Sequence, residues 1–349
     1  MKAGIVNGVR DIAVEEVADP ELQADNEVIV QVVRACICGS DLWFYRGINQ
    51  PTPGDRIGHE FMGYAEQVGK GVKTVKAGDF VIAPFYACDG TCWACRDGIS
   101  TACVNRQWWG GHDGNDGGQG QKVRVPMADG TLTVVPKDRI TDDMLPKLLP
   151  LTDVLCTGHH AAVCARVEPG KTVAVVGDGA VGLCAVAAAK RLGAKQIILV
   201  STHEDRAALG TDFGATDIVA ARGDEAIEQI KQLTDGRGVD AVLECVGMQG
   251  AWDIAFGAVR AGGDIGFVGV PADPDIKDVK LRDLFGSCVG IKGSGAPAAN
   301  YIKELLPDVL SGKLDVSPIF TKTVKLDDLA EGYAAMDKRQ AIKVMVLPE

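Results

Sequence analysis

A chain of 349 residues exceeds one ordinary domain and predicts two, of about 150 residues each. Its 46% hydrophobic content can fill sizeable cores, and 24% charged residues is ordinary for a folded globular protein. The net charge of −11, with Lys and Arg forming no runs, excludes a clustered basic face for nucleic acid or anionic membrane. No apolar stretch reaches the ~18 residues of a bilayer span, and Met1 to Ile5 lack an apolar signal segment, so a cytoplasmic chain is expected.

The first third reads as β-rich. Glu27–Val33 and Asp79–Ala83 are β-branched runs bounded by turn formers. Lys122–Pro126 and Thr131–Pro136 flank Asp129-Gly130, which predicts a hairpin. Before them, Gly110–Gly118 reads as a mobile polar surface loop, since its acidic spacing does not fit a calcium loop. Beyond Pro150 short apolar strands alternate with helices: strand Thr172–Val176, helix Ala180–Leu192, strand Gln196–Val200, helix His203–Phe213 and strand Asp217–Ala220. The strands Val239–Cys245 and Gly263–Gly269 continue the alternation, which predicts a parallel sheet covered on both faces. A helix near Asn300–Leu310 and a strand Ala341–Leu347 then close the chain. The expected organisation is a β-rich domain of residues 1–152 and 296–349 with a doubly wound α/β domain, 153–295, inserted into it.

Gly177-Asp178-Gly179-Ala180-Val181-Gly182 is a G-x-G-x-x-G between a buried strand and a helix. In that context Gly177 permits the tight turn, Gly179 lets backbone N–H groups approach a pyrophosphate, and Gly182 allows close helix packing. A Gly-rich turn without ligand is the plainer alternative. An NAD site commonly carries an acid at the end of the second strand, about 20 residues on. Here Ser201-Thr202-His203 stand there, with Glu204 and Asp205 just beyond. Small hydroxyls and a His suit a 2′-phosphate, so NADP is expected, although no Arg or Lys stands at those positions. NAD is the alternative, with Glu204 or Asp205 turned back to the ribose.

Eleven cysteines need a reason. Cys156, Cys164, Cys184, Cys245 and Cys288 lie among Ala, Val and Gly and read as small buried hydrophobes. Cys88, Cys92, Cys95 and Cys103 form a cluster that points to metal before disulfides. Cys38, His59 and Asp153 would make a sound zinc donor set that leaves one coordination position open, but spacing alone does not select them, and a lone Cys or His is more often core than ligand.

With Cys38-Gly39-Ser40-Asp41, then Gly58-His59-Glu60 with its His 21 positions after that Cys, the Cys-rich lobe, Thr157-Gly158-His159-His160-Ala161 and Gly177–Gly182, the whole chain resembles the zinc-dependent medium-chain dehydrogenases. The resemblance implies a GroES-like β-rich catalytic domain, a Rossmann domain, and alcohol–carbonyl interconversion with a nicotinamide cofactor. It implies catalytic zinc on Cys38, His59 and Asp153, the last selected by its place before Thr157, with Cys156 as competitor. A structural zinc is implied on Cys92, Cys95 and Cys103 with either Cys88 or Asp89, unless the lobe has lost its metal. It further implies Ser40 as the first proton relay, Glu60 tuning the metal from behind His59, and Thr157, Val268, Val270 and Lys343 along the cofactor, Lys343 facing the pyrophosphate. Trp43 stands where the family often ends its relay in His. Trp43, Trp108 and Trp109 suggest an aromatic-lined substrate pocket, or Trp108 and Trp109 anchor the Gly-rich loop. The partner is a small alcohol or carbonyl compound, and strands near Phe267 and Val289 suit a homodimer or homotetramer. The rival readings are an NAD-dependent polyol or sugar-alcohol dehydrogenase and a non-catalytic NADPH- or zinc-binding protein.

Overall fold

The computed structural model describes residues 1–110, 115–271 and 281–349. The chain forms two compact units, one of Met1–Asp153 with Pro297–Glu349 and one of Val154–Ala296.

In the first unit β1 (Lys2–Gly8) and β2 (Asp11–Glu16) form a hairpin, followed by β3 (Val28–Ile37), the short helix α1 (Asp41–Tyr45), β4 (Asp55–Arg56) and β5 (Glu60–Val68). The strands β6 (Phe80–Ala83), β7 (Tyr86–Ala87), β8 (Gln107–Trp108), β9 (Lys122–Val125) and β10 (Thr133–Val135) complete the first pass. The inserted unit runs α2 (Val154–Cys164), β11 (Thr172–Val176), α3 (Ala180–Arg191), β12 (Gln196–Val200), α4 (Glu204–Phe213) and β13 (Asp217–Val219). It continues through α5 (Gly223–Gln232), β14 (Val239–Glu244), α6 (Gln249–Ala258), β15 (Val259–Phe267), α7 (Leu281–Ser287) and β16 (Gly290–Gly293). The chain then returns with α8 (Ala298–Leu310), β17 (Phe320–Lys325), α9 (Leu329–Asp337) and β18 (Lys343–Leu347).

The inserted sheet has the order β13-β12-β11-β14-β15-β16, and every pairing in it is parallel. Its central strands β11, β12 and β14 are almost wholly buried, which is why they read as mostly apolar runs. Left-handed glycines stop the helices where the sequence says they should, with φ +87° at Gly193 and +123° at Gly214. In the first unit the main sheet runs β10-β6-β5-β3-β18-β17, with β9 also paired to β3. The closing strand β18 therefore lies inside the sheet, antiparallel to β3.

Four expectations are corrected. No hairpin spans Asp129-Gly130: β9 pairs with β3 and β10 with β6, and Ala128–Thr131 is a helical turn entered through left-handed Met127 at φ 50°. Asp129 spends its carboxylate on the backbone N–H groups of Lys73 and Thr74 and on the Thr74 hydroxyl, tying a neighbouring loop instead of closing a turn. In the Gly-rich segment residues 111–114 lie outside the described residues, but Asn115–Gln119 are largely buried. A Cβ on Gly117 would overlap the Ile57 backbone, so this stretch is packed against the domain. Trp109 belongs to the core, its Nε1 donating to the Pro84 carbonyl at 2.9 Å and its ring meeting Phe61 edge-on, while Asn115 bonds the Trp108 carbonyl. The loop-anchoring role fits them better than a pocket wall. Finally, Cys288 is exposed on a left-handed turn before β16, unlike the buried Cys156, Cys164 and Cys184.

Candidate active site

The β3–β5 register sets Cys36 opposite Glu60, so the ends of the two strands bring Cys38 and His59 together. Gly58, at φ +99°, turns the chain into β5, and a Cβ there would collide with Gln119. Asp153 follows the 3-10 turn Leu149–Thr152 and is 9% exposed. One donor atom from each of Cys38, His59, Glu60 and Asp153 lies within 4.8 Å of all the others. His59 Nε2 is 3.4 Å and Cys38 Sγ 3.5 Å from the same Asp153 oxygen, Oδ2. A thiolate, an imidazole and a carboxylate this close fit zinc chemically. Cys156, fully buried in α2, is not a member of the group.

The surroundings orient these donors. Asp41, 4% exposed, has Oδ1 3.1 Å from His59 Nδ1, while its Oδ2 accepts the Cys38 N–H and the Gln119 side-chain amide. Tyr333, on α9, donates its hydroxyl to Gln119 Oε1 at 2.8 Å, extending the chain of bonds across the domain. With Nδ1 committed to Asp41, His59 presents Nε2 to the donor cluster. Burial opposes a charged His59, but the Asp41 and Cys38 charges and the bonds to Asp153 and Asp41 outweigh it and raise its pKa well above the usual value. Burial, then Asp153 and Glu60, push the Cys38 thiol up. A divalent cation reverses that balance by binding the thiolate.

Glu60 is completely buried and fully engaged. Its Oε1 accepts from Lys343 Nζ at 2.6 Å, and its Oε2 accepts from Cys36 Sγ at 3.0 Å and Thr152 Oγ1 at 3.4 Å. Lys343, 1% exposed, also donates to the Ile37 carbonyl. The structure gives Lys343 a carboxylate partner: β18 runs inside the sheet, and the ammonium is held in the interior by Glu60. Burial disfavours the ammonium, but Cys36, Glu60 and Cys38 raise its pKa well above the ordinary range. Ser40 caps no helix N–H; its Oγ lies 3.5 Å from His59 Nε2 on the exposed side of the cluster.

A second group of four comprises Asp89, Cys92, Cys95 and Cys103, again within 4.8 Å of one another. Cys88 falls outside it and donates its thiol to the Gly130 carbonyl at 3.2 Å. Burial pushes the Cys88 thiol up to about 11. Asp89 is drawn well below the usual carboxylate range, because the N–H groups of Cys92 and Thr91 and the Asn105 amide outweigh its desolvation.

In the inserted unit Gly177, at φ +116°, ends β11, and Gly179 caps α3 with open space where a Cβ would stand. A Cβ on Gly182 would overlap the Gly177 carbonyl. Ala180 and Val181 open the helix. Thr157 is half-buried on α2, Val268 donates its N–H to the Glu244 carbonyl at 2.9 Å, and Val270 is exposed. Ser201 Oγ donates to Asp178 Oδ2 at 2.7 Å, and His203 Nδ1 lies 2.7 Å from the same oxygen. Arg206 reaches Asp178 Oδ1 at 3.3 Å, and Arg222 donates to Thr202 Oγ1 at 3.0 Å. The sequence reading missed Asp178, Arg206 and Arg222. The signal for Arg222 was strand order, since the β12–β13 register sets Val200 beside Val219 and brings the segments after them together. Asp41 and Gln119 were missed as well; only Asp41, three residues past Cys38, had a local cue.

Residues 24–137 match the alcohol dehydrogenase GroES-like domain family, and residues 180–311 match the zinc-binding dehydrogenase family. A glutathione-independent formaldehyde dehydrogenase of Bacillus subtilis (strain 168) is 31% identical, covering 99% of this chain and 97% of its own. A sorbitol dehydrogenase of the same organism is also 31% identical, covering 100% of this chain and 97% of its own. The solved alcohol dehydrogenase of Thermus sp. ATN1 superposes with a TM-score of 0.92 at 30% identity, covering 99% of both chains. The chain belongs to the zinc-dependent medium-chain alcohol dehydrogenase family and is an oxidoreductase of that type.

Proposed function

We propose that the chain interconverts an alcohol and an aldehyde or ketone, with zinc held by Cys38, His59 and Asp153 and with NADP as preferred hydride carrier. The observation that carries this reading is the convergence of three zinc-type donors beside an oriented imidazole and an exposed hydroxyl. Zinc bound there supplies a Lewis acid that acidifies an alcohol and polarises a carbonyl. Asp41 holds the His59 ring so that Nε2 faces the donor cluster. Lys343, Cys36 and Thr152 occupy both Glu60 oxygens, which keeps Glu60 behind the ligands as a source of negative potential. Ser40 Oγ takes the substrate's hydroxyl proton and, being exposed, passes it to solvent in place of a relay through position 43, which is Trp.

The NADP preference is supported by Arg222, which donates to Thr202 and is suited to a 2′-phosphate, while Arg206 and His203 beside it are held on Asp178. The structural zinc is proposed on Asp89, Cys92, Cys95 and Cys103. Formation of a homodimer or homotetramer through β16, the last strand in its sheet order, completes the proposal. A second reading, an NAD-dependent polyol dehydrogenase, is favoured by the likeness to a sorbitol dehydrogenase and by the carboxylate of Asp178 near the ribose position.

Turnover followed by absorbance over small alcohols, polyols and ketones, with NADH and NADPH compared, tests the assignment. Cys38→Ser should abolish turnover while leaving NADPH binding within about twofold. Unchanged turnover in that variant would exclude Cys38 as a ligand.

A further inference from the structure

The adenosine ribose is ordinarily distinguished at the end of the second strand, where an acid accepts the 2′-hydroxyl and an Arg welcomes the 2′-phosphate. In this chain that position is Ser201, which carries no charge. A carboxylate nevertheless reaches it from another place in the sequence. Asp178 stands between the first two glycines of the fingerprint, and its Oδ2 accepts the Ser201 hydroxyl at 2.7 Å. The same oxygen lies 2.7 Å from His203 Nδ1, and Oδ1 lies 3.3 Å from the Arg206 guanidinium. Arg222 is not bound to Asp178; it donates to Thr202 on the exposed side. Negative and positive groups thus meet at one ribose site, the acid from the β11–α3 loop and the cations from α4 and the start of α5.

We propose that Asp178 is the specificity-determining residue of the dinucleotide site, an acid supplied by the phosphate-binding loop in place of the missing acid at Ser201. Its charge repels a 2′-phosphate and offsets Arg206, while its oxygens accept a ribose 2′-hydroxyl. The attraction for NADP is left to Arg222. The site therefore takes both cofactors, and Asp178 sets the ratio. This inference rests on the proposal that Val154–Ala296 binds a nicotinamide dinucleotide.

The test is calorimetric titration of the full-length protein with NADP⁺ and NAD⁺, which needs no turnover. Asp178→Asn keeps an acceptor for Ser201 and removes the charge; it should raise the ratio Kd(NAD⁺)/Kd(NADP⁺) at least tenfold. Asp178→Ser removes the same charge and must move the ratio in the same direction. Arg222→Gln should lower it. A ratio that is unchanged or falls in both Asp178 variants overturns the inference, since Asp178 would then only hold Arg206 and His203 in place. If the unaltered protein binds neither cofactor, the dinucleotide reading fails and takes the inference with it. If it binds both and only the Asp178 variants fail to respond, the dinucleotide reading stands alone.

Discussion

His160 illustrates how one buried residue couples the fold to pH. It is 6% exposed, with Nε2 3.0 Å from Ser294 Oγ and 3.4 Å from Cys164 Sγ. Burial, then the charges of Lys292 and His159, push its pKa down from 6.5 to about 4. The native state thus prefers neutral imidazole, whereas the unfolded chain takes up a proton below its ordinary pKa. The stabilisation is fully present above pH 6.5 and is lost as pH falls to about 4, a change of about 3 kcal/mol when complete. His160→Gln should therefore flatten the decline in urea stability between pH 7 and pH 5. An unchanged slope would show that His160 is not its source.

Among the elements, the lobe from Asp89 to Cys103 has little regular structure of its own, a four-residue helix Trp93–Arg96 and a 3-10 turn Ser100–Ala102. One anionic carboxylate and three thiols converge inside it, and burial pushes the Cys95 thiol far above its ordinary value. A cation that binds these groups as thiolates is then the lobe's main cross-link. Chelation, or Cys95→Ser, should speed amide exchange across residues 88–106 and leave exchange in Val154–Ala296 unchanged. Equal protection in both states would remove the metal from the lobe's stability. The central inserted strands were legible from sequence because each is a short, mostly apolar run set between helical segments, and β11 and β12 fall where the pattern sets them. The Asp129-Gly130 hairpin was not, because a local turn signal carries no trace of the distant Lys73 and Thr74 N–H groups that claim the carboxylate. For the same reason Cys38, His59 and Asp153 could be picked out by motif, while the Gln119–Asp41 bond spans 78 positions and leaves no mark in either segment.

At the scale of the whole molecule, the β-rich unit is joined across nearly the full length of the chain. The Glu60–Lys343 pair links residues 283 positions apart, with side chains 0% and 1% exposed. Removing one partner leaves a buried charge uncompensated, so Lys343→Met should cost about 3–5 kcal/mol, whereas Glu60→Gln with Lys343→Met should recover much of it. Thermal unfolding of both variants measures the difference, and a double variant as unstable as the single would argue against charge as the cause. Such a pair could not be read from the sequence, because which strand lies beside β3 is decided by topology and not by either segment's composition. Among the described residues no helix is long and apolar enough to cross a membrane.

The placement of β18 between β3 and β17 also dictates an order of events during synthesis. Residues 154–296 are complete and can collapse while their ribosome is still translating, but the first 153 residues must wait with an open slot in their sheet. Glu60 meets its counter-ion only when residue 343 clears the exit tunnel, so the cluster of Cys38, His59, Glu60 and Asp153 matures last although all four residues were made first.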